Sequence, residues 1–178
     1  HWRMIDRYSG LNALGMGITM ERIHRVLGYF DSVAARTRNY TKERPLADST
    51  GSAPVERPEL VHIIGRMANG AEGVFLFSAV ANHADVSSLE IYGNGGTLIY
   101  DMGSTILGGK TGDEDLKELT IPANEVEEWT VEQDFVNAIN GGPQGDTSFY
   151  EGVRYMEFTE AVARSMELGQ AVPLPLVS

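Results

Sequence analysis

Leu60-Val61-His62-Ile63-Ile64-Gly65-Arg66-Met67-Ala68-Asn69-Gly70-Ala71-Glu72-Gly73-Val74-Phe75-Leu76-Phe77-Ser78-Ala79-Val80 decides the fold class. Its first part alternates, with Val61, Ile63 and Met67 on one face, as a half-buried strand does. Asn69-Gly70 marks a hairpin turn, because both residues tolerate positive φ. The return strand, read from Val74 to Val80, is apolar on both faces: Phe75, Phe77 and Ala79 on one, Val74, Leu76 and Val80 around Ser78 on the other. A sheet with helices on one face leaves its second face wet unless something covers it. Two covers are open: a second subunit, or other parts of the same domain.

Toward the C-terminus a second hairpin pairs Leu89-Glu90-Ile91-Tyr92 with Thr97-Leu98-Ile99-Tyr100 across Gly93-Asn94-Gly95-Gly96. Short strands near Ile106 and Leu119 are expected to extend the sheet, around a glycine- and acid-rich turn from Gly108 to Leu116. Thr130-Val131-Glu132-Gln133 reads as a capping box, opening a short helix marked by Phe135, Ala138 and Ile139 and ended by Gly141. A last helix runs from Phe149 to Leu168. Val153, Met156, Ala161 and Leu168 recur near helical spacing, Glu160 and Arg164 form an i,i+4 pair, and Gly169 stops it. Val172-Pro173-Leu174 fits an edge strand, where proline is tolerated.

Toward the N-terminus, residues 41–58 carry Pro45, Pro54 and Pro58 and read as a long surface loop. Asp31 to Tyr40 reads as a strand. Asn12 to Leu27 reads as a helix with Ala13, Gly17, Met20, His24 and Leu27 on the core-facing stripe, ended by Gly28. Asn12, Gly15, Thr19 and Arg22 share the adjacent stripe. Residues 1–10 read as a loop. The order predicts one α+β domain over residues 1–178: an open, mostly antiparallel sheet with helices on one face and the other face used for oligomerisation.

Composition narrows the function classes. The absence of cysteine excludes disulfides, thiolate metal sites and a cysteine nucleophile. A net charge of −11 argues against a nucleic-acid partner, which wants a basic patch. No apolar run approaches the roughly 20 residues a bilayer span needs, and no signal peptide is visible, so a cytoplasmic location without a membrane partner is expected. The first residue is His1 rather than methionine, so a fragment is the simpler expectation.

Most chemical motifs are weak. Gly93-Asn94-Gly95-Gly96 lies between two strands, not between a strand and a helix, and so reads as a hairpin rather than a dinucleotide turn. Glu21-x-x-His24 resembles one half of a carboxylate-bridged metal pair, but no second half exists. A hydrogen-bonded core histidine is the expected reading, and no metal site is expected. Asp113-Glu114-Asp115 lacks calcium-loop spacing. Glu125, Glu127 and Glu128 could supply a carboxylate pair for hydrolysis only if two lie roughly 5–10 Å apart in a cleft. No Gly-x-Ser-x-Gly elbow is present.

The start of the first helix carries more. Gly15 and Gly17 lie inside a helical pattern, where each costs on the order of 1 kcal/mol against alanine. That cost is repaid by close approach of a ligand, a cofactor or another backbone. Asn12, Thr19 and Arg22 would then offer hydrogen bonds to a polar substrate. Tight helix–sheet packing with a solvated Arg22 is the alternative.

Three segments resemble one family in the order that family has them: Ser9-Gly10 through Gly17-Ile18-Thr19 to Leu27-Gly28; Leu89-Glu90-Ile91-Tyr92-Gly93-Asn94-Gly95-Gly96-Thr97-Leu98; and Tyr150-Glu151-Gly152-Val153-Arg154 through Glu160-Ala161 to Gly169. The chain resembles the C-terminal domain of the glucose-fructose oxidoreductase, inositol dehydrogenase and rhizopine catabolism family. The resemblance implies an N-terminal Rossmann domain outside this chain that binds NAD or NADP, and an open sheet face that builds a homo-oligomer. It also implies a sugar, polyol or related carbonyl substrate. Trp2, Arg3, Asn12, Thr19 and Arg22 are the candidate substrate-binding residues, and Gly15 and Gly17 the points of close cofactor approach. Many members carry Asp-x-Gly-x-His on the first helix. Here those positions are Gly15, Gly17 and Thr19, so the catalytic residue is unassigned. Some members rely instead on a lysine that closes the Rossmann domain. A non-catalytic binding or assembly module of the same fold is the alternative.

Overall fold

The computed structural model describes residues 10–46, 50–84, 87–103, 105–126, 129–143, 145 and 148–176. They fall into two units, residues 1–81 with 144–178, and residues 82–143.

The first unit is built on the quoted hairpin. Strand β4 (Leu60–Met67) pairs antiparallel with β5 (Glu72–Ser78), Ile63 opposite Phe75 and Val61 opposite Phe77. Its alternation is realised: Val61, Ile63, Gly65 and Met67 are buried, while His62, Ile64 and Arg66 are exposed. At the turn only Gly70 takes a positive φ, +87°. Asn69 contributes its side chain instead. Its Oδ1 accepts from Ala71 N at 3.0 Å and its Nδ2 donates to Leu27 O at 2.8 Å. The turn is thereby tied to the end of helix α1 (Met16–Leu27).

Strand β1 (Phe30–Arg38) pairs with β4, and β10 (Val172–Pro173) pairs with β1 on its other side, giving the order β10-β1-β4-β5, antiparallel throughout. The Phe30 ring lies over Gly65, where a Cβ would come within 2.6 Å of it, so the position requires glycine. Helix α3 (Phe149–Leu168) packs on β1, and α1 packs on α3. Phe158, Ala161, Val162 and Ser165 of α3 are buried, whereas Val153, Met156 and Leu168, expected on its core stripe, are exposed. The buried face of this long helix is therefore the one that carries Phe158, Ala161, Val162 and Ser165. Ser165 locks the contact: its hydroxyl accepts from Ala35 N at 2.9 Å and donates to Gln170 O at 2.6 Å.

The proline-bearing stretch is not a plain loop. Strands β2 (Glu43–Pro45) and β3 (Ser52–Pro54) form a two-stranded arm, where proline is tolerated because each strand has a free edge. The arm is anchored by Glu59, whose side chain is fully buried. Its carboxylate accepts from the amides of Tyr40 and Thr41, both at 2.8 Å, and from Arg44. The Arg44 bond and the two amides hold its pKa down at about 2, against an opposing desolvation.

The sheet's second face is open. Ile64, Val74 and Leu76 lie there with exposures of 58%, 81% and 63%, so the two-sided apolar reading of β5 corresponds to one covered and one uncovered face.

In the second unit β6 (Leu89–Gly93), β7 (Gly96–Tyr100), β8 (Ile106–Lys110) and β9 (Lys117–Glu118) form a four-stranded antiparallel sheet in sequence order. A Cβ on Gly96 would meet Gly109 O at 2.1 Å, so β7 and β8 require glycine there. Helix α2 (Val131–Ile139) is present without the expected capping box. The Thr130 hydroxyl donates to Asp134 Oδ2 at 2.8 Å, and the Glu132 carboxylate is taken by Trp129 Nε1 at 2.8 Å.

Candidate functional site

The chain enters α1 through a tight 3-10 turn, Ala13–Gly15, rather than continuing one helix from Asn12. Leu14 and Gly15 take positive φ, 55° and 72°. Gly15 therefore sits at the N-cap of α1 and not inside it, and the helical-interior cost argued for it does not apply. Its glycine is required by left-handed backbone, which costs an L-residue roughly 1–2 kcal/mol.

Gly17 is inside the helix, and a local contact accounts for it. Asn12 reaches forward across the turn, and its Oδ1 accepts from Gly17 N at 2.8 Å. This satisfies one of the amides that a helix start leaves unpaired. A Cβ on Gly17 would lie 3.1 Å from that oxygen. Thr19 turns back along the helix, its Oγ1 donating to Gly15 O at 3.3 Å. Its oxygen keeps acceptor capacity, since a hydroxyl has one donor and two lone pairs.

Asn12, Gly15, Gly17 and Thr19 are thus brought together within two turns of chain. Arg22 lies one turn further along and is exposed. Trp2 and Arg3 lie outside the described residues. Glu21 is paired with Arg25 at 2.7 Å, which occupies the carboxylate of the Glu-x-x-His pattern.

A groove of about 220 Å3 runs beside this opening turn. Leu11, Ala13 and Met16 line one side, Val162 and Met166 of α3 the other, and Arg57 stands among its polar members. Drug-sized ligands occupy roughly 300–1,000 Å3, so the groove is too small to enclose one alone. Sequence reading missed it because its lining comes from three separate segments, residues 11–16, 56–61 and 159–167, with no shared spacing.

His24 is buried as expected, at 8% exposure, but not hydrogen-bonded. It packs among the rings of Tyr29, Phe30 and Phe158 at 5.3, 5.6 and 6.1 Å. Burial lowers its pKa to about 4, the nearby Glu151 opposing, so the ring is neutral near pH 7. Tyr29 donates to Glu151 Oε1 at 2.7 Å, and that bond raises the phenol to about 12.

The described residues contain no strand–glycine turn–helix to cradle a dinucleotide pyrophosphate. Gly93 and Gly96 are a ladder pair joined by Asn94-Gly95, a hairpin turn and nothing more.

No family model and no curated protein matches the sequence. Solved structures do match. Levoglucosan dehydrogenase in complex with NADH and L-sorbose is 21% identical with a TM-score of 0.81, covering 98% of this chain and 54% of that one. The likeness is one of fold. An NAD binding oxidoreductase from Klebsiella pneumoniae matches at 21% and 0.81, over 99% of this chain and 54% of that one. The WlbA dehydrogenase from Bordetella pertussis in complex with NADH and UDP-GlcNAcA matches at 19% and 0.65, over 92% and 44%. The chain spans about half the length of each, and its α+β architecture is the one these proteins share over that half. Among the described residues no helix is long and apolar enough to cross a membrane.

Proposed function

We propose that this chain is the substrate-facing and oligomer-forming half of a nicotinamide-dependent oxidoreductase acting on a sugar, polyol or related carbonyl compound, and that NAD or NADP is held mainly by a Rossmann half outside it. The observation that carries this reading is the likeness in fold, over 98% of the chain, to half of a dehydrogenase solved with NADH and a sugar. In this reading the 220 Å3 groove and the α1 opening turn form one wall of a cleft that the other half completes.

A bound nicotinamide would exchange the hydride with the substrate carbon, accepting it when an alcohol is oxidised and donating it when a carbonyl is reduced. This chain's own residues bind and orient. Thr19 has already spent its donor on Gly15 O, so it accepts from a substrate hydroxyl. Arg22 donates to a substrate oxygen, and Trp2 and Arg3, outside the described residues, are the further substrate contacts of this reading. Gly15, where a Cβ would meet only Ile18 Cγ2 at 3.9 Å, is the point of close approach. Gly17 is accounted for by Asn12, and Asn12 by its cap, so these two shape the turn rather than touch the substrate. The open sheet face bearing Ile64, Val74 and Leu76 is the homo-oligomer contact.

The test is hydride transfer by the full-length protein with NAD or NADP across a panel of aldoses and polyols. Transfer that falls in a Thr19→Val, Arg22→Ala double variant while its urea midpoint holds supports the reading. The isolated 178-residue chain is expected to transfer none, and turnover by it would overturn the division of labour. A second reading, a non-catalytic binding or assembly module, is favoured by Gly15 and Thr19 standing where the resembling family has Asp and His. Sugar binding without turnover by the full-length protein would select it.

A further inference from the structure

Behind the aromatic cluster at the far end of α1 lies a second, much smaller cavity, about 10 Å3, lined by His24, Tyr29, Phe30, Arg154, Glu157 and Phe158, with Leu174 closing it. That volume is about what one water molecule needs, a cavity of at least roughly 10–15 Å3. Two of its lining side chains carry buried nitrogens that no described protein group satisfies: both ring nitrogens of His24, and Nε of Arg154. Arg154 is otherwise fixed. Its Nη1 donates to Glu157 Oε2 at 2.7 Å, and its guanidinium lies 4.9 Å from the Tyr29 ring centroid. Rotating Arg154 to serve His24 would break both contacts. His24 lies among three rings and is 8% exposed.

We propose that this cavity is a binding site for a single structural water that bridges His24 and Arg154. Buried polar atoms are almost always satisfied by protein or by ordered water, and water held in such sites typically makes two to four hydrogen bonds. Each of its groups has a partner of the right kind here. The water oxygen accepts from Arg154 Nε–H. One O–H donates to the unprotonated nitrogen of the His24 ring. The other is directed to the carboxylate of Glu157. One water serves only one imidazole nitrogen. The remaining ring N–H is left to the faces of its aromatic neighbours, and Tyr29 and Phe158 stand at 74° and 80° to the imidazole, the edge-on geometry an N–H···π contact uses. The water thereby fixes the tautomer of a neutral histidine and joins α1 to α3 where no direct polar bond from His24 does.

The site is tested on the full-length protein by water-to-ring nuclear Overhauser spectroscopy of His24 and by a crystal structure at a resolution that shows ordered water. A slowly exchanging water cross-peak to the His24 ring, with one density peak within hydrogen-bond distance of both His24 and Arg154 Nε, is the expected result. His24→Phe preserves the ring packing and removes the acceptor, and should abolish that peak while leaving the other ordered waters in place. Arg154→Lys retains the charge but removes Nε, and should at least halve the occupancy. A dry cavity in the wild type, a direct bond from Glu157 or Arg154 to the His24 ring, or a peak undiminished in His24→Phe would each overturn the proposal.

Discussion

The Asn12–Gly17 contact makes a quantitative prediction about why a glycine stands in the first turn of α1. Gly17→Ala has two opposed effects. Alanine improves helix propensity by about 0.7 kcal/mol at this near-terminal position, somewhat below the roughly 1 kcal/mol of a helix interior. Its Cβ, however, would sit 3.1 Å from Asn12 Oδ1 and displace that side chain from its 2.8 Å bond to the Gly17 amide. Losing a cap of this kind costs about 1 kcal/mol. Gly17→Ala alone should therefore leave the chain about 0.3 kcal/mol less stable. In an Asn12→Ala background the cap is already gone, and the same substitution should stabilise by about 0.7 kcal/mol. The coupling between the two sites is about 1 kcal/mol, well outside the roughly 0.3–0.5 kcal/mol expected of independent sites. Urea unfolding followed by far-ultraviolet circular dichroism resolves it, since 1 kcal/mol moves the midpoint by about 0.3–1 M at ordinary m-values. A Gly17→Ala effect equal in both backgrounds would refute the local account and return Gly17 to the cofactor-approach reading.

Other expectations can be checked alongside. Because the Glu59 carboxyl is held at about 2 against an ordinary 4.5, the stability it contributes is complete above that ordinary value and drains away as pH falls from there toward 2; Glu59→Gln should flatten that part of the stability–pH curve measured by urea midpoints. Gly96→Ala forces a Cβ against Gly109 O and should cost about 2–3 kcal/mol, whereas Gly95, with nothing within 4 Å, should take alanine within about 0.5 kcal/mol, both read by chemical denaturation. Ile64→Asp with Leu76→Asp places charges on the exposed sheet face, and sedimentation velocity should show a smaller species with unchanged circular dichroism. An unchanged sedimentation coefficient would remove that face from the proposed oligomer contact.

What could be read from sequence was whatever local pattern fixes. The alternation of Val61, Ile63 and Met67, the Asn69-Gly70 turn and the Gly28 and Gly169 stops each depend on a few neighbouring residues, and each is realised. The β2–β3 arm was hidden because its order comes from Glu59, a charge with no periodic signature that gains its partners only when Tyr40, Thr41 and Arg44 fold around it. The Thr130 capping box failed for a related reason: Gln133, which would have closed it, donates instead to Asn137 Oδ1, and the Thr130 hydroxyl is turned to Asp134. At the candidate site Asn12, Gly15, Gly17 and Thr19 lie close together, as their nearness in sequence implies, but the break before Met16 was not legible. Sequence alone treats Gly15 as an interrupted helix residue, whereas the left-handed backbone at Leu14 and Gly15 is what turns Asn12 toward Gly17.

That break bears on whether the chemistry of the resembling family could be restored by side chains alone. The family's aspartate would fall on Gly15, whose φ is 72°. Aspartate tolerates left-handed backbone better than most residues but less readily than glycine. Gly15→Asp should therefore cost about 1 kcal/mol, and Gly15→Val distinctly more, because a β-branched residue is a true outlier there. Thr19→His would also lose the Oγ1 bond to Gly15 O that closes the same turn. The double replacement Gly15→Asp, Thr19→His is thus expected to unfold at lower urea than the sum of ordinary surface substitutions, and to leave the full-length protein's transfer rate no higher than the parent's. A rate that rose at least tenfold, with the urea midpoint unchanged, would show that the turn can carry an aspartate–histidine pair after all, and that the proton acceptor is missing from this chain by residue choice rather than by backbone shape.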